Sequence, residues 1–193
     1  MTLKSLHIHS TCIRYLALFL GTLCLFPACG EKQQLRKALR DFQAATITFP
    51  DKMLVMKNGI PRDSIIRQTG YRFIVYTAPD ECSSCRIQHI SEDEDLFQFA
   101  REEGLDLYVI FSYDSEEDSA FFRELALASH LRPLWVDTQG EFFQMNESVI
   151  PKDPRFHYFL LTPDGHPVIV GNPANNNVIK KLIYNFLNYE NQK

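Results

Sequence analysis

Residues 72–85 read RFIVYTAPDECSSC, and the fold is most clearly predicted from this stretch. Its first six residues are mostly β-branched or aromatic, a composition typical of a buried strand. Residues 83–103 then indicate a helix, and Gly104 is placed to end it. One face of that helix carries the apolar residues Ile87, Ile90, Phe97 and Ala100. The two cysteines therefore stand between a buried strand and the start of a helix.

That position predicts redox chemistry for Cys82 and Cys85. The first turn of a helix offers unpaired N–H groups and the positive end of the helix dipole, which stabilise a thiolate. A cysteine there can have its pKa lowered from about 8.5 to between about 3.5 and 7.5. We expect Cys82 to be the exposed attacking thiolate and Cys85 the buried resolving thiol. Arg86 favours the thiolate and Glu81 opposes it, and the sequence alone leaves open which effect is larger.

The remaining elements predict an α/β fold with a mixed β-sheet and helices on both faces. A strand-helix-strand order favours parallel neighbours with a right-handed crossover, and the closing hairpin adds antiparallel strands. Asn58-Gly59 indicates a turn after an early strand. The other predicted strands are residues 46–49, 53–57, 105–112, 134–137, 157–161 and 168–170. The other predicted helices are residues 31–43, 115–131, with Ser115 as N-cap, and 176–189.

Residues 73–85 resemble the strand and Cys-x-x-Cys segment of thioredoxins, and the longer pattern is similar to the TlpA/ResA-like, membrane-tethered branch of that superfamily. Pro50-Asp51, Trp135-Val136-Asp137 and residues 160–165 match other parts of the family pattern. The resemblance covers about residues 46–190. It implies a thioredoxin-like fold and thiol–disulfide exchange with protein thiols or disulfides of the cell envelope, without a cofactor. A protein of this kind that acts as a reductase needs a membrane electron donor.

The chain departs from the thioredoxin pattern at three places. Glu81 stands where thioredoxins have tryptophan before the first cysteine, and no acidic residue lies in the preceding strand. The family's cis-proline position falls on Phe156, while Pro154 stands two residues earlier. The resemblance therefore makes Glu81, Pro154 and Phe156 the candidate substrate groove, and leaves open whether a cis-proline equivalent exists.

The N-terminus has the pattern of a secretory signal. Residues 15–26 are uncharged and mostly apolar, they follow Lys4 and Arg14, and they are too few to span a bilayer about 30 Å thick. The following Phe26-Pro27-Ala28-Cys29-Gly30 resembles the lipobox of bacterial lipoproteins. We therefore predict a signal peptide at residues 1–28, a lipid on Cys29, a spacer at 29–45 and a thioredoxin-like domain at 46–193. This places the chain in the bacterial envelope, facing the periplasm or the cell surface; an ordinary secreted protein is the alternative.

The number of cysteines limits the kinds of site that the chain can form. Of five cysteines, Cys12 and Cys24 fall in the predicted signal and Cys29 would carry lipid, so only the Cys-x-x-Cys pair is left. A structural zinc site usually has four ligands, and no second such pair is present. Removing Lys4 and Arg14 with the signal changes the net charge from −4 to −6. An acidic chain with scattered charges argues against nucleic acid as a partner.

Two other readings of the cysteine pair stay open. The pair could form a structural disulfide on a non-catalytic thioredoxin-like binding module, or Cys82, Cys85 and His89 could hold a soft ion such as Cu(I). The acidic run at residues 91–95 is predicted to be solvated surface, where the helix could kink, rather than a docking patch. His130, His157 and His166 are dispersed along the sequence, with no constellation of serine and acidic residues to indicate a hydrolase. Phe142, Phe143 and Met145 are predicted to be core, with an apolar groove beside the cysteines as the alternative.

Overall fold

A computed structural model describes residues 27–113, 119–190 and 192. The chain divides into two compact units, Met1–Arg40 and Asp41–Lys193. The described part of the first unit is helical and belongs to helix α1, Pro27–Ala44, which includes the helix predicted at residues 31–43. Within the described residues no helix is both long enough and apolar enough to cross a bilayer.

The second unit contains a seven-stranded mixed sheet in the order β2-β1-β5-β4-β3-β6-β7. Its strands are β1 Met53–Lys57, β2 Ile60–Ser64, β3 Arg72–Thr77, β4 Asp106–Ser112, β5 Leu134–Asp137, β6 Tyr158–Leu161 and β7 Pro167–Val170. The helices after α1 are α2 Ser83–Gln88, α3 Glu94–Glu102, α4 Ser119–Ala128, α5 Glu141–Asn146 and α6 Asn177–Glu190. Two 3-10 turns span Ile90–Asp93 and Pro154–Phe156.

Strand β3 lies at the centre of the fold. It pairs in parallel with β4 and antiparallel with β6, and β4 pairs in parallel with β5. The antiparallel β6–β7 hairpin and helix α6 complete the chain. These pairings confirm the predicted α/β class and the thioredoxin-like combination of parallel crossovers with a closing hairpin. All six residues of β3 are buried, as their composition predicted.

Helices cover both faces of the sheet. On one face, Phe73 and Val75 join a core cluster that includes residues of α3, α4 and α6, among them Phe99, Phe121 and Ile183. On the other face, aromatic contacts attach two further segments: Phe142 of α5 packs edge-on against Tyr76, and Phe42 near the end of α1 packs edge-on against Phe159. The centre of the sheet is therefore shielded from water on both sides.

The first predicted strand, residues 46–49, is absent from the sheet. That segment is not a strand, because its backbone is held by a side chain: Asn146 accepts from the Thr48 N–H at 2.9 Å and donates to the Thr48 carbonyl at 2.8 Å. The first hairpin instead pairs β1 with β2 across Asn58-Gly59, both of which have positive φ. Strand β2 is mostly exposed and polar, so its composition gave no strand signal.

The helix predicted at residues 83–103 is three consecutive pieces: α2, a 3-10 turn and α3. The break falls where Asp93 turns inward to an ion pair with Arg86, so an acidic side chain is buried at 4 % exposure. The acidic run at residues 91–95 is therefore not all solvated surface. Gly104 ends the segment with φ +67, as predicted. The predicted N-cap Ser115 lies outside the described residues, and α5 was not predicted at all.

Candidate redox site at the end of the central strand

Cys82 and Cys85 form a disulfide just beyond β3, with their Cα atoms 5.2 Å apart. Cys82 is the N-cap of α2 in an extended conformation, and its Sγ accepts the N–H of Cys85 at 3.2 Å. The connection from β3 is a tight turn in which the Glu81 N–H donates to the Ala78 carbonyl at 3.0 Å. The site is therefore a short, hydrogen-bonded segment fixed to a fully buried strand.

Both cysteines are exposed, so the expectation that Cys85 is buried was wrong. The reason is the rotation of α2. Ser83 and Ile87, four residues apart, are its buried positions and face the core. Cys85 therefore lies on the opposite, solvent-facing side of the same short helix, together with the cap residue Cys82.

Glu81 is tied down on the protein side of the cysteines. Its Oε2 accepts the Ala78 N–H at 2.7 Å and lies 3.1 Å from Nδ1 of His157. Partial burial raises the pKa of Glu81, but the hydrogen bonds from His157 and from the Ala78 amide, together with the charges of His157 and Arg86, outweigh that effect. The pKa of Glu81 lies below its ordinary value as a result.

His157 is the residue that the sequence did not reveal. It is buried at 2 % exposure, and its Nε2 lies 3.0 Å from the carbonyl oxygen of Pro151. It immediately precedes β6, and its carbonyl accepts the Tyr76 N–H at 2.9 Å. Because β6 runs antiparallel to β3, the residue before β6 lies beside the chain leaving β3. The pairing of β6 with β3 was the one feature that could have linked His157 to the cysteine segment.

Arg86 is engaged with Asp93 and lies over the ring of Tyr158, its Cζ 5.4 Å from the ring centroid. Burial raises the pKa of Asp93 above its ordinary value although the charge and hydrogen bond of Arg86 oppose the change. Arg86 was expected to favour the thiolate, but its positive charge is paired with the buried Asp93 carboxyl group.

An open cavity of about 490 Å³ surrounds the disulfide. Its lining includes both cysteines and Glu81, Arg86, His89, Pro154 and His157. Of the candidate groove residues, Glu81 and Pro154 lie here, whereas Phe156 is buried at 3 % exposure and packs against Phe42. No described residue has a cis peptide bond, so neither Pro154 nor Phe156 supplies a cis-proline equivalent.

A second cavity of about 250 Å³ lies on the other side of His157 and shares Tyr76 and His157 with the first. Phe143, Ile150 and Pro151 give it an apolar wall. Of the three residues that were predicted to be core, only Phe142 is fully buried, whereas Phe143 lines this cavity and Met145 is exposed.

The metal-binding alternative finds no third ligand. His89 is exposed and directs its Nδ1 to Glu92 at 2.7 Å. Over residues 27–113, 119–190 and 192, no three histidine, cysteine, aspartate or glutamate side chains are arranged to hold a metal ion.

The predicted lipid attachment residue, Cys29, falls at the start of helix α1. Residues 1–26, most of the predicted signal peptide, lie outside the described part of the chain.

No protein-family model matches the chain, and no curated protein matches it. Among solved structures, the bacterioferritin comigratory protein of Xanthomonas campestris is similar at 14 % identity and TM-score 0.47, over 75 % of this chain and 95 % of that one. The thioredoxin domain of a Bacteroides vulgatus thiol-disulfide oxidoreductase is similar at 15 % identity and TM-score 0.43, over 72 % and 97 %. Copper-bound ScoI of Arabidopsis thaliana is similar at 12 % identity and TM-score 0.41, over 76 % and 99 %.

These similarities are too low to carry an activity from those proteins to this chain. The fold assignment rests on the strand order, the parallel crossovers and the closing hairpin. The chain has a thioredoxin-like α/β fold, with a Cys-x-x-Cys disulfide at the end of its central strand.

Proposed function

We propose that this chain is a thiol–disulfide oxidoreductase of the bacterial envelope, held to a membrane by lipid on Cys29. The observation that carries the proposal is the exposed Cys82–Cys85 disulfide, whose Cys82 Sγ accepts a backbone N–H. A donor that already points at sulfur stabilises a thiolate formed there. Its substrates are proteins with accessible thiols or disulfides.

The exchange is a pair of sulfur displacements. In the reduced chain, the Cys82 thiolate attacks a substrate disulfide; a bond forms between Cys82 and one substrate sulfur, and the other substrate sulfur leaves as a thiolate. The Cys85 thiolate then attacks Cys82, the internal disulfide forms, and the second substrate thiolate leaves. The two protons released by the cysteines end on the two substrate thiols. The reverse sequence oxidises a substrate dithiol.

The geometry gives little support to a purely structural disulfide. The two cysteines are only three positions apart, and a bridge across so short a loop restricts the unfolded chain less than one closing about 15 residues, which is worth about 3 kcal/mol. Both side chains are also exposed, so reduction leaves no cavity in the core. Accessibility of both sulfurs is, in contrast, what exchange with a protein substrate requires.

The envelope location is supported by the N-terminal sequence: a charged and then apolar stretch, followed by a small residue and Cys29. Changing Cys29 to Ala is expected to abolish the incorporation of labelled fatty acid into the chain in a bacterial host. Incorporation into the variant at the level of the unchanged chain would contradict lipid attachment at Cys29.

A trapping experiment tests the exchange. In Cys85→Ser, the mixed disulfide formed by Cys82 cannot be resolved internally, so covalent adducts that disappear on reduction should accumulate on non-reducing gels. Cys82→Ser is the matched control and should form far fewer adducts. Equal adducts from both variants, or none from either, would contradict the assigned roles.

A further inference from the structure

In the cysteine segment, the negative charge of Glu81 works against a thiolate on the neighbouring Cys82. Glu81 directly precedes Cys82 and lines the same cavity. A free carboxylate beside a cysteine disfavours the thiolate, because two negative charges then lie close together. A working redox cysteine next to this residue therefore needs something to offset the charge of Glu81.

Arg86 is the first candidate for that counterion, but its guanidinium is engaged with the buried Asp93. Among the described residues Arg86 forms no ion pair with Glu81, although its charge contributes to lowering the pKa of Glu81. The other charged or titratable groups around the pair are Tyr76, Asp80, His89, Glu147, Lys152, Asp153 and Tyr158. None of these pairs with the Glu81 carboxylate in the described structure.

His157 makes the direct contact instead. Its Nδ1 lies 3.1 Å from Glu81 Oε2, and its Nε2 lies 3.0 Å from the Pro151 carbonyl oxygen. A carbonyl oxygen only accepts hydrogen bonds, so Nε2 is the donor of that pair. When the ring also donates from Nδ1 to the ionised Glu81, it carries a positive charge, and the two residues together are neutral. The ring is thus fixed at both ends inside the protein.

We propose that His157 is a positioning residue that acts as the counterion of Glu81, so that the Cys82 thiolate forms beside a neutral, fixed pair instead of a free carboxylate. The inference deepens the proposed function and rests on it for its biological meaning. It concerns, however, only the reactivity of one thiol, which is measurable without any substrate protein.

The test uses the full chain carrying Cys85→Ser as the parent. The segment between Arg72 and Arg86 then has Cys82 as its single cysteine, so trypsin releases a peptide on which alkylation of Cys82 is counted by mass spectrometry. The rate of alkylation against pH gives the pKa of Cys82. Three variants are compared with the parent: Glu81→Gln, His157→Gln and the double variant. Glutamine removes the charge at each position and keeps an amide that can hydrogen-bond.

In His157→Gln, Glu81 becomes an unpaired carboxylate, and the pKa of Cys82 should rise by about 1. The double variant removes both charges and should return the pKa to within about 0.5 of the parent. That restoration distinguishes a charge effect from a packing effect, because a purely structural role of His157 would not be repaired by a second substitution.

Two results would overturn the inference. One is a raised pKa that persists in the double variant. Glu81→Gln alone should not raise the pKa, because it leaves the charge of His157 unpaired. The other result that would overturn the inference is an unprotonated His157 ring in the parent at pH 7, seen in the NMR shifts of its ring nitrogens, because such a ring carries no charge to offset that of Glu81. The second result decides the matter even if His157→Gln fails to fold. Failure of the proposed exchange activity would leave these pKa values unchanged, so the two failures are separable.

Discussion

Removing the disulfide should cost this protein little stability, and the cost can be worked from the loop that it closes. The cysteines are three positions apart. The chain-entropy relation for a loop of that size gives a stabilisation of about 2 kcal/mol at 25 °C. Because both side chains are exposed, no packing or cavity loss adds to this value. The dithiol form should therefore be folded and lower in free energy of unfolding by about 2 kcal/mol.

The assay is urea unfolding of the full chain with the disulfide oxidised and with it reduced. In a parallel thermal melt of a chain of this size, a loss of about 2 kcal/mol corresponds to a melting temperature lower by about 4–8 °C. The Cys82→Ser, Cys85→Ser double variant should match the reduced protein. A loss of about 5 kcal/mol or more, or loss of the folded signal on reduction, would refute the reasoning and point to a structural bridge.

Asn146→Ala removes three hydrogen bonds to backbone groups and should lower the free energy of unfolding by about 2–4 kcal/mol. In the same urea titration, the exposed control Gln144→Ala should cause almost no change. Because folding lowers the pKa of Glu81, its ionised form adds stability above about pH 4.5, and this stability is lost as the pH falls through the lowered value. Glu81→Gln should therefore make the free energy of unfolding less dependent on pH on the acid side. Gly165→Ala should cost more than Gly140→Ala: both have positive φ, worth about 1–2 kcal/mol, but only at Gly165 would the new Cβ lie 3.1 Å from a backbone oxygen. Thermal melts of the two glycine variants that coincide would contradict that ranking.

The parts of the fold that were predictable from sequence are those decided by local composition. Strand β3 has the predicted residues, because a run of β-branched and aromatic side chains suits only a buried strand here. Gly104 has the expected positive φ at the end of its helix. The β6–β7 hairpin and helix α6 also follow patterns within single segments.

The parts that were missed depend on contacts between distant segments. The burial of Asp93 against Arg86 at the break before α3 was not predicted, because an acidic residue in an acidic run gives no sign of that partner. The irregular backbone around Thr48 is held by Asn146, 98 positions later. Strand β2 is polar and exposed and forms because β1 is beside it.

The candidate site divides in the same way. Cys82 and Cys85 were identifiable from their spacing and from the strand before them. The exposure of Cys85 was not, because it depends on which side of a six-residue helix meets the core. The partner of Glu81 lies 76 positions away and follows only from the pairing of β3 with β6.

The central claim is that Cys82 and Cys85 exchange disulfides with other proteins, and a redox titration of the full chain in glutathione buffers tests it most directly. We expect a reduction potential between about −120 and −270 mV, the range of working oxidoreductases, and a reduced Cys82 that is alkylated rapidly at pH 7. A potential well below about −300 mV, with Cys82 unreactive when reduced, would contradict the claim and identify a structural disulfide on a binding protein.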